Sequence, residues 1–127
     1  MKILSPRAHG YIDYAAILLL AVAPSLLDFG GLPATLCYAV AGIYFVMVLL
    51  TAYPLGAIKI IPFPVHGAVE IVLAPMFAVL PWLAGFADLP VARNFFLVMA
   101  AALLGVWLVT NYRAAEYPGQ PAQRSHA

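Results

Sequence analysis

The sequence predicts an all-α membrane protein of four transmembrane helices, arranged as two repeated helical hairpins related by a pseudo-twofold axis along the membrane normal. Three observations lead there. Of the 127 residues, 65% are hydrophobic and 9% charged, whereas a soluble domain carries about 25% charged residues. Between clusters of Pro and Gly lie apolar runs near the roughly 20 residues that cross about 30 Å of hydrocarbon. Finally, the start of the chain recurs in its second half. Helices are the expected form, because a four-strand barrel could not close and open sheet edges are not tolerated in lipid.

The first span, about His9–Leu27, follows Pro6 and opens with "HGYID". Its N-terminal flank has some features of a signal peptide, but the later repetition argues that the segment is retained. The turn "LLDFGGLPA" ends it with Gly, Asp and Pro, which break helices. A second span, about Ala34–Tyr53, contains the single cysteine, Cys37, so no disulfide within the chain is possible and packing is its expected role. The connection "PLGAIKIIPFP" is apolar and proline-rich, and is expected to lie along the membrane interface. The third span, about Val65–Gly85, opens with "HGAVE", and the turn "LAGFADLPV" leads to a fourth, about Val91–Thr110. The tail "RAAEYPGQPAQRSHA" is polar and aperiodic, so disorder is expected there and His126 is left out of the site.

Shifting the chain by 57 residues aligns His9-Gly10 with His66-Gly67, Asp13 with Glu70, Pro24 with Pro81 and Leu32-Pro33 with Leu89-Pro90. Nine of the 25 positions from His9 to Pro33 are then identical. "LLTAY" (Leu49–Tyr53) matches "LVTNY" (Leu108–Tyr112) at a shift of 59. The expected division is therefore residues 1–56 and 57–112 as two hairpin repeats, with 113–127 as a cytoplasmic tail. Two crossings per copy make a parallel repeat, placing His9 and His66 at equivalent depth. Lys2, Arg7, Lys59, Arg113 and Arg124 fall on the side of the termini, against Arg93 on the other. The positive-inside rule then puts both termini in the cytoplasm, in a bacterial inner membrane.

Pro81-Trp82-Leu83-Ala84-Gly85-Phe86, followed by an apolar helix, resembles the SPW-repeat family of small bacterial membrane proteins, and Ala23-Pro24-Ser25-Leu26-Leu27-Asp28-Phe29 resembles it more weakly. Ala23 and Leu80 stand in place of the motif's serine, and Ser25 in place of the first tryptophan. The resemblance implies a two-hairpin integral membrane protein and carries no activity with it.

Function must come from the residues. His9 with Asp13, and His66 with Glu70, are each four apart, so each pair shares a helix face. Two imidazoles and two carboxylates converging between the first and third helices would suit a divalent metal, with zinc favoured by tetrahedral nitrogen and oxygen ligation and iron or manganese possible at higher coordination. The spacing is similar to the paired His-x-x-x-Asp arrangement of cation diffusion facilitator transporters. Alternatively, His9 and His66 would be the axial ligands of a haem, with Gly10 and Gly67 admitting the macrocycle. Proton-coupled chemistry of the Asp–His pairs is a third course. Against all three stands a non-catalytic structural or assembly subunit, whose acids serve only to start helices. An acid a turn inside the membrane is costly, which favours a function or a partner.

Other side chains are given plainer roles. Tyr11, Tyr14, Tyr38, Tyr44 and Tyr53 could line a quinone or lipid pocket, but the favoured expectation is an aromatic belt at the interface, with Trp82 and Trp107 in belt and packing positions. Thr51 and Thr110 are expected on helix ends away from either histidine. No phosphate-binding glycine loop or nucleophile–base pair is present, and without a basic cluster there is no nucleic-acid partner. The lipid bilayer is the expected partner, and the lipid-facing surface of four thin helices leaves room for a homodimer or another membrane protein.

Overall fold

A computed structural model of the chain describes residues 2–113. Four helices account for most of it: α1 (Pro6–Leu26), α2 (Gly31–Leu49), α3 (Phe63–Leu83) and α4 (Pro90–Val109). All four are long and apolar enough to cross a membrane, at 19 to 21 residues each. The chain is thus a multi-pass membrane protein in outline. Large apolar side chains such as Leu18, Ile43, Val72 and Val98 point outward, where a bilayer would solvate them. The expectations for the tail, including those for Arg124 and His126, fall from residue 114 onward outside the described residues.

Local sequence explains where the helices begin and end. Ser5 caps α1 by accepting from the Ala8 N–H at 3.2 Å, and Pro6 follows in the first turn, where no intrahelical donor is lost. The C-terminus of α3 closes with the Phe86 N–H donating to the Pro81 carbonyl at 2.8 Å, and Gly85 takes the left-handed conformation this requires, φ 80°. At the end of α1 the same closure, Phe29 N–H to Pro24 carbonyl at 3.0 Å, puts Asp28 at φ 55°. Asp is tolerated in that region better than most residues, though less well than Gly.

Within the bundle α1 packs on α2 and α3 on α4. The core is aromatic and small: Phe77 stacks on Phe96 at 5.1 Å between centroids, Phe86 meets Phe96 edge-on at 5.0 Å, and Ala23, Ala41 and Cys37 fill around them. Cys37 is fully buried there as a packing residue.

The largest departure from the sequence-based expectation lies between the hairpins. The second span ends at Leu49 and not at Tyr53, because the chain leaves helical geometry to carry Thr51 and Tyr53 inward. Residues Thr51–Ala52 (β1) pair in parallel with Ile61–Pro62 (β2), and Leu4 makes a matching isolated bridge with Thr110. These pairings satisfy helix-end carbonyls. Ala57 N–H and Ile58 N–H donate to Leu49 O, and Leu4 N–H donates to Val109 O at 2.8 Å. The segments before α1 and α3 are thereby tied to the ends of α4 and α2 respectively, which closes one end of the bundle.

Candidate metal centre

The four singled-out residues meet at that closed end. One turn into α1 and α3, where the i,i+4 spacing puts each pair on one face, His9, Asp13, His66 and Glu70 turn inward and are 0–2% exposed. His9 Nε2 lies 3.2 Å from Asp13 Oδ1 and 3.1 Å from Glu70 Oε1. His66 Nε2 lies 3.3 Å from Asp13 Oδ2 and 3.2 Å from Glu70 Oε1. One ligand atom from each residue falls within 4.8 Å of all the others. The juxtaposition is between hairpins as much as within them, since each imidazole touches the carboxylates of both helices.

Two threonines decide which ring nitrogen faces the centre. Thr110 Oγ1 is 2.8 Å from His9 Nδ1, and Thr51 Oγ1 is 2.9 Å from His66 Nδ1. Each hydroxyl spends its single proton on a backbone carbonyl one turn back, Val106 O at 2.6 Å and Met47 O at 2.7 Å. The threonine oxygens therefore accept, and both Nδ1 atoms carry hydrogen. In a neutral imidazole that leaves Nε2 as a bare lone pair aimed at carboxylate oxygens. Acceptor then faces acceptor, so the centre calls for positive charge: a metal ion, or protons on the imidazoles.

This placement corrects the expectation for Thr51 and Thr110, which are far from the histidines in sequence but adjacent in space. The belt expectation fails for Tyr44 and Tyr53 in the same way. Tyr44 Oη lies 2.7 Å from Asp13 Oδ1 and 2.5 Å from Glu70 Oε1. Tyr53 donates to Asp13 Oδ2 at 2.9 Å, and Tyr112 to Glu70 Oε2 at 2.7 Å. Tyr11 and Tyr38 are exposed, as belt residues are. A signal for the missed groups was present: Thr-x-Tyr occurs at the matching end of both second helices, Thr51-Ala52-Tyr53 and Thr110-Asn111-Tyr112.

The cluster is roofed by its own chain. A Cβ on Gly10 would sit 2.7 Å from Leu55 Cδ1, and one on Gly67 would sit 2.8 Å from Tyr112 Cε1, so the two glycines make room for the roof's side chains. Tyr14 donates to the Leu55 carbonyl at 2.8 Å, pinning the loop, and Phe63 closes the gap with its ring 5.2 Å from His9 and 4.7 Å from Tyr112. Burial, followed by the charge of Asp13, pushes the Tyr53 phenol well above its ordinary range; burial and then the charge of Glu70 do the same for Tyr112. Both remain hydrogen-bond donors at any ordinary pH.

Chemically, two nitrogens and two carboxylates with fixed outer partners can hold a divalent ion, and the tautomer is the one that ligation needs. No family model matches the chain, and neither a curated protein nor a solved structure matches it.

Proposed function

We propose that this chain is a small integral membrane protein that holds a divalent metal ion through His9, Asp13, His66 and Glu70. One observation carries the proposal. The two Nε2 atoms meet the carboxylate oxygens of Asp13 and Glu70 at 3.1 to 3.3 Å, and one ligand atom from each residue lies within 4.8 Å of all the others, so a single ion among them would be within reach of all four. Zinc suits that set of nitrogen and oxygen donors, and iron suits the same donors at higher coordination.

The geometry favours an ion over a haem. A carboxylate oxygen, Glu70 Oε1, lies against both Nε2 atoms, where a bis-histidine iron would have to stand, and Leu55 and Tyr112 fill the spaces beside Gly10 and Gly67. The pseudo-twofold relation of residues 1–56 to 57–112, and with it the SPW-repeat assignment, belongs to the same proposal. It is supported by paired contacts: Thr110 on His9 and Thr51 on His66, Tyr53 on Asp13 and Tyr112 on Glu70, Leu4 with Thr110 and Ile61 with Thr51. Placing the site near the cytoplasmic face of a bacterial inner membrane rests on Lys2, Arg7, Lys59 and Arg113 at its end of the chain's spans, against Arg93.

A specific observation favours the structural alternative as well. Among the described residues, no buried side-chain nitrogen or oxygen lacks a partner, so two imidazoliums and two carboxylates would make a closed, neutral lock with no ion. Elemental analysis by mass spectrometry separates the two. Protein purified in mild detergent without added metal or chelator is expected to carry about one equivalent of zinc or iron, lost in His9→Ala/His66→Ala. Wild-type protein that stays metal-free even after incubation with zinc(II) and iron(II) would leave the lock standing and remove the metal proposal.

A further inference from the structure

A cavity of about 40 Å³ lies against the cluster on the side between α1 and α4. Its floor is Asp13, Tyr44 and Glu70, its walls include Ala16, Met99 and Leu103, and Ile12 and Ala102 stand at its outer rim. On the same measure one water needs about 10–15 Å³, so a small guest fits. Ile12 and Ala102 are exposed and lie on faces that the bilayer would cover. The mouth therefore opens toward hydrocarbon, and the roof of Leu55, Phe63 and Tyr112 lies elsewhere.

The character of the guest follows from the floor and the walls. Asp13, Tyr44 and Glu70 each have partners within the cluster, which leaves a water chiefly the acceptor side of the Tyr44 hydroxyl, short of the roughly two to four polar partners that hold a buried water. The remaining lining is apolar. A mostly apolar cavity of that kind takes apolar guests, because a water gains too little there to offset leaving the bulk. Ions are excluded by the cost of crossing hydrocarbon.

We propose that this cavity is a binding site for an uncharged, lipid-soluble molecule of diatomic size, of the dioxygen class, which arrives through the bilayer between α1 and α4 and rests beside the four-residue site. That the guest would meet a metal ion rests on the function proposed above; that it occupies the cavity does not. The cluster then has two separate approaches: the roof over the histidines, and an apolar side door to the carboxylates and Tyr44.

Xenon is the probe, because it matches the size and apolarity required and needs no metal. In detergent-solubilised full-length protein labelled at the methionine methyls, Met99, 5% exposed at the cavity wall, is expected to show a saturable shift with xenon pressure. Met76, 47% exposed on α3, should follow only the linear partition of xenon into the micelle. Ala16→Val fills the cavity from α1 and Ala102→Phe closes it from α4, and both are expected to abolish the Met99 response while the Met76 response persists. No saturable shift in wild type, as when an acyl chain fills the mouth, overturns the site; so does a shift that survives in either variant. Metal content measured on the same samples keeps the outcomes apart, since a protein that binds xenon yet stays metal-free after incubation with zinc(II) and iron(II) refutes only the proposed metal centre.

Discussion

Thr51 and Thr110 show how much of the site depends on groups that would touch no ion. Each fixes the hydrogen of a histidine on Nδ1 and frees Nε2 for the centre. Replacing both by Val keeps the shape but removes the acceptor, and metal affinity in a competition titration with a chelating dye is expected to fall about 10–100-fold, with Thr→Ser retaining it. Gly67 offers a test with a change of sign. In wild type Gly67→Ala drives a methyl into the Tyr112 ring and disrupts its bond to Glu70, an expected loss of about 1–3 kcal/mol in unfolding measurements. In a Tyr112→Ala background those three closest contacts are gone, and helix propensity should make the same substitution stabilising by up to about 1 kcal/mol. If the loss persists there, the close approach is not its cause. The two histidines and two acids were legible in the sequence because i,i+4 spacing is a local property. Tyr44 and the Thr-x-Tyr pairs were not, because their value arises from contacts across the bundle, such as the 101 residues that separate His9 from Thr110.

The helices were legible for a similar reason: apolar length and Pro–Gly punctuation are local, and the expected bounds of the first, third and fourth spans fall within about three residues of those observed. The exception is the end of α2, where hydropathy runs on through Tyr53 but the chain bends to pair with Ile61. No pattern within the span marks that pairing, since its partner lies ten residues on. At the opposite end of α1, Asp28 holds a left-handed conformation that Gly85 holds after α3. Asp28→Gly is expected to raise stability by up to about 1 kcal/mol, read as a higher unfolding midpoint in detergent. The connecting segments also set an alkaline limit. Tyr53 and Tyr112 resist ionisation in the folded protein, whereas in the unfolded chain they ionise near the ordinary value of about 10. Above that pH the unfolded state binds fewer protons, so stability must fall as pH rises, having been complete below it. Thermal midpoints measured from neutral to strongly alkaline pH should show this slope, and Tyr53→Phe/Tyr112→Phe should flatten it.

On the scale of the whole molecule, the closest helix packing is within each hairpin, α1 on α2 and α3 on α4. The four-residue cluster draws its members from both, and so pins one hairpin to the other at the end where the chain's connections converge. An ion that binds this arrangement and not the unfolded chain stabilises by mass action, by about 2.7 kcal/mol at a concentration 100 times its dissociation constant. The unfolding midpoint of chelator-treated protein is therefore expected to climb with added zinc, and Asp13→Asn, which keeps the shape but weakens the donor, should need more zinc for the same rise. A neutral lock of imidazoliums and carboxylates behaves differently. Its midpoint would ignore both chelator and zinc, while Asp13→Asn would lower it outright by leaving imidazolium charge buried without its counterion, a loss on the order of 3–5 kcal/mol. The two courses diverge in the zinc dependence of wild type alone, so the pin between the hairpins can be identified as ion or ion pair before any activity is known.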